Sequence, residues 1–101
     1  ADEMAARAAE AALFLKALGH EGRLMILCHL SGGERSVTEL EALLGARQAA
    51  VSQQLARLRA EGLVTARRDG KVIHYSIRDP KAAAIMALVY DLFCGPTADR
   101  P

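Results

Sequence analysis

Cys28 and Cys94 are the chain's two thiols, and with His29 beside the first they are the side chains best suited to metal or covalent chemistry. The residues alone leave two readings open. A thiophilic metal or metalloid held by Cys28 and Cys94 with His29 is one, although a closed zinc site takes four ligands and the stretch from Asp79 to Cys94 contains no histidine. The other is a pair of inert core thiols, since free cysteine behaves as a small buried hydrophobe. Hydrolysis is not indicated: adjacent helical residues such as Cys28 and His29 point about 100° apart, and no orienting acid or oxyanion donor is suggested. Two cysteines are too sparse for a disulfide scaffold. His20, His29 and His74 are read as structural or solvent-facing.

A second set of residues points to nucleic acid. The formal net charge is only +1, yet from Ala46 to Lys81 eight basic residues face three acidic ones, whereas the remainder holds five basic and nine acidic. A basic segment within an acidic frame is the footprint of a nucleic-acid reader. In the segment from Gln48, Val51, Leu55 and Leu58 share one helical face and so mark the core side. Ala49, Gln53 and Ala56 lie opposite, with Gln48 and Ser52 at the edge of the stripe. Recognition helices read base edges with their first turns, which makes Gln48, Ala49, Ser52 and Gln53 the candidate readers: Gln can pair with adenine, and the Ala methyl can meet thymine. Arg57 on the same helix and Arg67, Arg68 and Lys71 beyond it are candidate backbone contacts, which position a protein without specifying sequence.

The elements that must position these residues are legible from periodicity and punctuation. An Ala-rich helix from about Asp2 to Leu18 stops at Gly19. His20 to Leu30 predicts a second helix with little polar face, closed by Ser31-Gly32-Gly33. Ser36-Val37-Thr38-Glu39 is a capping-box pattern opening a third helix, with Leu40, Leu43 and Leu44 inward. That helix stops at Gly45, and a fourth runs from Gln48 to Glu61 with Gly62 as its stop. Two short helices joined by a glycine-containing turn make a helix-turn-helix. Asp69-Gly70 between two β-rich runs predicts a hairpin whose two central residues both take positive φ. Asp79-Pro80 then opens a last helix carrying Ile85, Met86, Leu88, Val89, Leu92 and Phe93. The expected fold is mainly α with a β-hairpin wing, a winged helix-turn-helix of about five helices. At 101 residues it is one domain, small enough that burial in a dimer would aid its stability. No apolar run is long enough for a membrane span, and no secretory signal fits, so a cytoplasmic location is expected.

Leu18 with Arg23-Leu24-Met25-Ile26-Leu27, then Glu34-Arg35-Ser36-Val37-Thr38-Glu39-Leu40, Ala50-Val51-Ser52-Gln53-Gln54-Leu55, Glu61-Gly62-Leu63-Val64 and Arg68-Asp69-Gly70-Lys71 resembles the ArsR repressor family. The match is collinear over roughly residues 13–94. It implies a homodimer built from helices 1–18 and 80–94, a helix-turn-helix over 36–62, a wing over 63–78, and an operator released when an inducer binds. Arg47 stands where relatives usually offer a Ser or Thr cap. The family's metal sites are not matched: Cys28-His29-Leu30 lacks the second thiol of a Cys-x-Cys pair, and the last helix lacks histidine ligands. Ile26-Leu27-Cys28-His29-Leu30 with Tyr90-Asp91-Leu92-Phe93-Cys94 is instead similar to the BigR/SqrR subgroup of persulfide-responsive repressors. That similarity implies that Cys28 and Cys94 are sensors bridged by di- or polysulfide when a reactive sulfur species arrives. A direct disulfide needs Cα atoms within about 7 Å, and each inserted sulfur lengthens the link by roughly 1.5–2 Å, so a dithiol held slightly too far apart would favour sulfane sulfur over plain oxidation.

The expected partners are double-stranded operator DNA and a second copy of the chain; no membrane, cofactor, metal site or catalytic residue is assigned. A metal- or metalloid-responsive repressor is the alternative within the same class. A winged-helix domain used only for protein interaction is the alternative from another.

Overall fold

Five α-helices and three short strands follow in the order α1 (Asp2–Leu18), α2 (Glu21–Leu30), β1 (Arg35–Ser36), α3 (Val37–Leu44), α4 (Gln48–Ala60), β2 (Val64–Asp69), β3 (Val72–Ile77) and α5 (Pro80–Cys94) in the computed structural model. The structure describes residues 2–95. Among them no helix is long and apolar enough to cross a membrane.

Local chemistry sets the helix boundaries. His20 caps α2 rather than entering it, its Nδ1 accepting the Gly22 and Arg23 N–H groups at 3.1 and 3.4 Å. The capping box forms in full: Glu39 N–H donates to Ser36 Oγ at 3.1 Å and Ser36 N–H to Glu39 Oε1 at 2.9 Å. Asp79 caps α5, with Pro80 in the first turn, where a missing N–H costs nothing. Helix α4 ends at Ala60, one residue earlier than the periodicity suggests, with Glu61 as its cap.

The core lies where α2, α3 and α4 meet. Ile26, Leu27, Leu40, Leu55 and Leu58 are all essentially sealed from solvent, and Leu63 and Val64 close it from the wing side. Two apolar residues depart from expectation. Leu43 is 46% exposed, because the eight-residue α3 presents only Leu40 fully inward, and Met25 is 41% exposed on an α2 that is less enclosed than its composition implied.

The wing also differs in two respects. Its sheet has three strands in the order β1-β3-β2, all antiparallel, because Arg35 and Ser36 pair with Tyr75 and His74. Its turn is Gly70-Lys71, one residue later than expected, since Asp69 pairs with Val72. Only the first central residue, Gly70, has positive φ (64°), so glycine leads and an ordinary residue follows, the pattern of a II′ hairpin turn.

Truncating the sealed Leu55 to Ala leaves a void where three helices converge, and a loss of about 2–5 kcal/mol is expected. Ser36→Ala removes one half of the capping box and is expected to cost about 1 kcal/mol. Urea unfolding followed by circular dichroism measures both, and a smaller effect for Leu55→Ala than for Ser36→Ala would contradict the location of the core.

Candidate nucleic-acid interface and thiol groove

Helix α4 turns Val51, Leu55 and Leu58 inward and leaves Gln48, Ala49, Ser52 and Gln53 exposed, the face the sequence predicts. Arg47 occupies the N-cap without any side-chain cap bond, and no acidic residue lies in the first turn. The positive end of the α4 dipole is therefore not offset by a carboxylate, which suits an approaching polyanion.

What fixes α4 is a contact that the sequence reading missed. Arg23 of α2 is 9% exposed. Its Nε donates to the Ala17 carbonyl at 2.6 Å, one terminal nitrogen to the Lys16 carbonyl at 3.4 Å, and the other to Gln54 Oε1 at 3.0 Å. Gln54, beside the candidate base reader Gln53, thus points back into the fold and ties α4 to the end of α1. The signal was present as a lone charge on the Arg23, Ile26, Leu27 and Leu30 face of an apolar helix.

The four candidate cations do not share one situation. Arg68 and Lys71 are exposed near the wing turn and make no ion pair among the described residues. Arg57 pairs with Glu61 one turn on at 3.3 Å. Arg67 grips Glu34 in a fork, Nη2 to Oε1 at 2.7 Å and Nε to Oε2 at 3.0 Å. Hydrogen bonds from Arg67 hold the Glu34 carboxyl below its ordinary value; desolvation opposes them, and the Arg67 and His74 charges add smaller lowering effects. The contribution of the pair is thus present above the ordinary glutamate pKa and fades only as pH falls through the lowered value.

The two thiols are both free. Half-buried Cys28 lines a groove of about 680 Å³ between the end of α2, the loop after it, β3 and α5. Met86 and Tyr90 belong to the α5 wall, Ser76 and Ile77 to the sheet side, and Glu34 to the loop after α2. Cys94 is exposed and lies outside that lining, four residues beyond Tyr90 and so one turn further along the same face of α5. Gly95 ends the helix there, and a Cβ at this position would come within 2.8 Å of the Asp91 backbone, so only glycine fits. His29 does not line the groove, and its buried Nε2 has no hydrogen-bond partner. Among the described residues no three His, Cys, Asp or Glu side chains gather as a metal site.

Known proteins share this architecture. The family described as "Bacterial regulatory protein, arsR family" matches residues 20–66. The biofilm growth-associated repressor of Agrobacterium fabrum is 48% identical over 93 residues, which cover 92% of this chain and 80% of that protein. Reduced HlyU from Vibrio cholerae superposes with a TM-score of 0.88 at 39% identity, covering 93% of this chain and 99% of the other. The transcriptional repressor BigR from Xylella fastidiosa gives 0.87 at 45% identity, with 92% and 95% covered.

The differing situations of the wing cations make a prediction. Each phosphate contact contributes about 0.9 to the slope of log affinity against log salt on duplex DNA. Arg68→Gln and Lys71→Gln are each expected to flatten that slope by about this amount per subunit bound. Arg67→Gln, whose guanidinium is already engaged, is expected to leave the slope unchanged. Anisotropy titrations over a salt series measure all three.

Proposed function

The chain belongs to the arsR family of bacterial regulatory proteins, and from that premise we propose that it is an operator-binding transcriptional repressor that senses persulfide or polysulfide through Cys28 and Cys94. It is a transcriptional regulator and not an enzyme. Gln48, Ala49, Ser52 and Gln53 read base edges in the major groove, while Arg68 and Lys71 hold the backbone from the wing. The observation that carries the sensing half is the position of Cys28, which opens onto the groove whose opposite wall is α5, the helix that ends at Cys94.

The chemistry is two successive thiol exchanges. One cysteine thiolate attacks a sulfur of a polysulfide donor, forming a mixed polysulfide and expelling a shorter sulfur anion. The second thiolate attacks the mixed chain, expels the remaining donor fragment as thiolate and leaves the two cysteines joined through the retained sulfur. Each step breaks one S–S bond and makes one. Across both, the dithiol loses two electrons and two protons, and the donor gains the electrons.

Release of DNA follows if the bridge changes the spacing of two recognition helices in a homodimer. Apolar side chains support such a dimer: Leu13 and Leu15 on α1, and Leu88, Tyr90, Leu92 and Phe93 on α5, are each about half exposed or more. Phe93, at 75%, directly precedes Cys94. Covering these residues against a second copy makes α5 both the dimer helix and the sensor helix. A bridge from α5 to α2 then acts on the dimer geometry that sets half-site spacing, about one DNA turn.

A metal- or metalloid-responsive repressor is the second reading, favoured by the pairing of free thiols with the orphaned His29 Nε2. The decisive experiment treats reduced protein in parallel with polysulfide, peroxide and thiophilic metals, then measures operator affinity and intact mass. Polysulfide is expected to lower affinity by about 5- to 150-fold with retained sulfur linking Cys28 to Cys94, and the double serine variant is expected not to respond. Release by a metal without covalent change would replace the sensing half. Affinity indifferent to salt, or no DNA binding, would reduce the domain to a protein-interaction module.

A further inference from the structure

We propose that Glu34 is the positioning residue through which the state of the thiol groove reaches the wing. Glu34 borders the groove, and its two carboxylate oxygens orient Arg67 of β2. The proposal rests on the reading that the inducer acts at Cys28 and Cys94.

The connection runs through a short stretch of backbone. Glu34 lies six residues after Cys28, on the loop in which Gly32 and Gly33 also line the groove. Gly33 has φ +133°, a conformation that other residues rarely adopt, so the segment between α2 and Glu34 turns at a point with little side-chain bulk. A link that draws α5 toward Cys28 acts on this loop first. At its far end the fork spans the sheet, because Arg67 sits on β2, with β3 between it and β1. Arg67 pairs in register with His74, and Thr65 with Ser76, which like its neighbour Ile77 lines the groove, so β3 joins the strand bearing the fork to the groove. Two parallel bonds fix the orientation of the guanidinium as well as its distance. Glu34 therefore governs the angle at which the wing, with Arg68 and Lys71 near its turn, leaves the body.

The direction of the effect follows. An intact fork holds the wing where DNA needs it, and a displaced Glu34 lets it swing, so removing Glu34 mimics the induced state. Exposed ion pairs add little to folding stability, so wing orientation separates from unfolding.

The test compares wild type, Glu34→Ala, Arg67→Ala and the swapped pair Glu34→Arg with Arg67→Glu. Each is titrated with operator DNA over a salt series, reduced and after polysulfide treatment, with intact mass and thermal melting recorded. Reduced Glu34→Ala and Arg67→Ala are expected to bind the operator about fivefold weaker or more, with unchanged salt slope and melting. Both are expected to form the sulfur link normally, yet to show little further loss on treatment. The swapped pair is expected to restore affinity and response together. Tighter binding by Glu34→Ala with a slope steeper by about 0.9 would make Arg67 a withheld phosphate ligand and overturn the proposal. Wild-type release by Glu34→Ala would overturn it too, as would failure of that variant to form the link, which would place Glu34 in the reaction instead. If polysulfide leaves wild-type affinity unchanged, the sensing reading falls on its own, while the reduced-state affinities and the rescue still decide whether Glu34 sets the wing.

Discussion

A guanidinium cannot be left unpaired away from water, and the way Arg23 meets that requirement organises the molecule. Its neighbours are two carbonyls at the end of α1 and the amide oxygen of Gln54 on α4. Losing any of them leaves a largely buried charge short of acceptors, which is far more costly than losing an ordinary hydrogen bond. The charge therefore ties together the end of α1, α2 and α4. The Gln54 bond reinforces the roll that the buried Val51, Leu55 and Leu58 stripe gives α4, with Gln53 and Ser52 outward.

That hub also divides the apolar surface into two parts with different duties. The sealed part, around Leu27, Leu40, Leu55 and Leu58, holds the helix-turn-helix together within one chain. The part left on α1 and α5, with Leu13, Leu88 and Phe93 facing solvent, contributes little to that core. Only Ala17 and Leu18 near the end of α1, and Ala82 and Met86 on α5, are buried. The thiol groove lies against α5. A covalent link between α2 and α5, once formed, would join the sealed part of the fold to a helix whose apolar residues largely face solvent.

Local rules carried most of the fold into view. The capping box at Ser36, the stop at Gly62 and the three-residue core stripe of α4 depend on neighbours within one or two turns, and each stands as its residues suggest. The exposed face of α4 follows directly from that stripe. Contacts between residues far apart in sequence were not legible. The Arg67–Glu34 fork joins positions 33 apart and the Arg23–Gln54 bond positions 31 apart, and neither leaves a periodic trace. The two-residue β1 is too short to alternate. The hairpin signal gave the turn but not its register, because glycine at either central position produces the same dipeptide, and only cross-strand pairing decides between them. For the thiols, the sequence supplied the pair and its spacing, while the groove joining the surroundings of Cys28 to α5 required tertiary packing.

The internal pairing of Arg57 with Glu61 bears on how such a protein can be switched at all. Attraction between cations and DNA phosphates is largely indifferent to sequence and to small changes in subunit geometry. If every cation of the basic segment were free, that attraction would keep the protein on DNA after its recognition helices lost register. Arg57, spent on Glu61, contributes less to the geometry-independent share of the binding energy. What remains depends more on α4 and the wing standing at one particular spacing. A coupling of only about 1–3 kcal/mol can then move operator occupancy appreciably, because it acts on the part of the affinity that geometry controls.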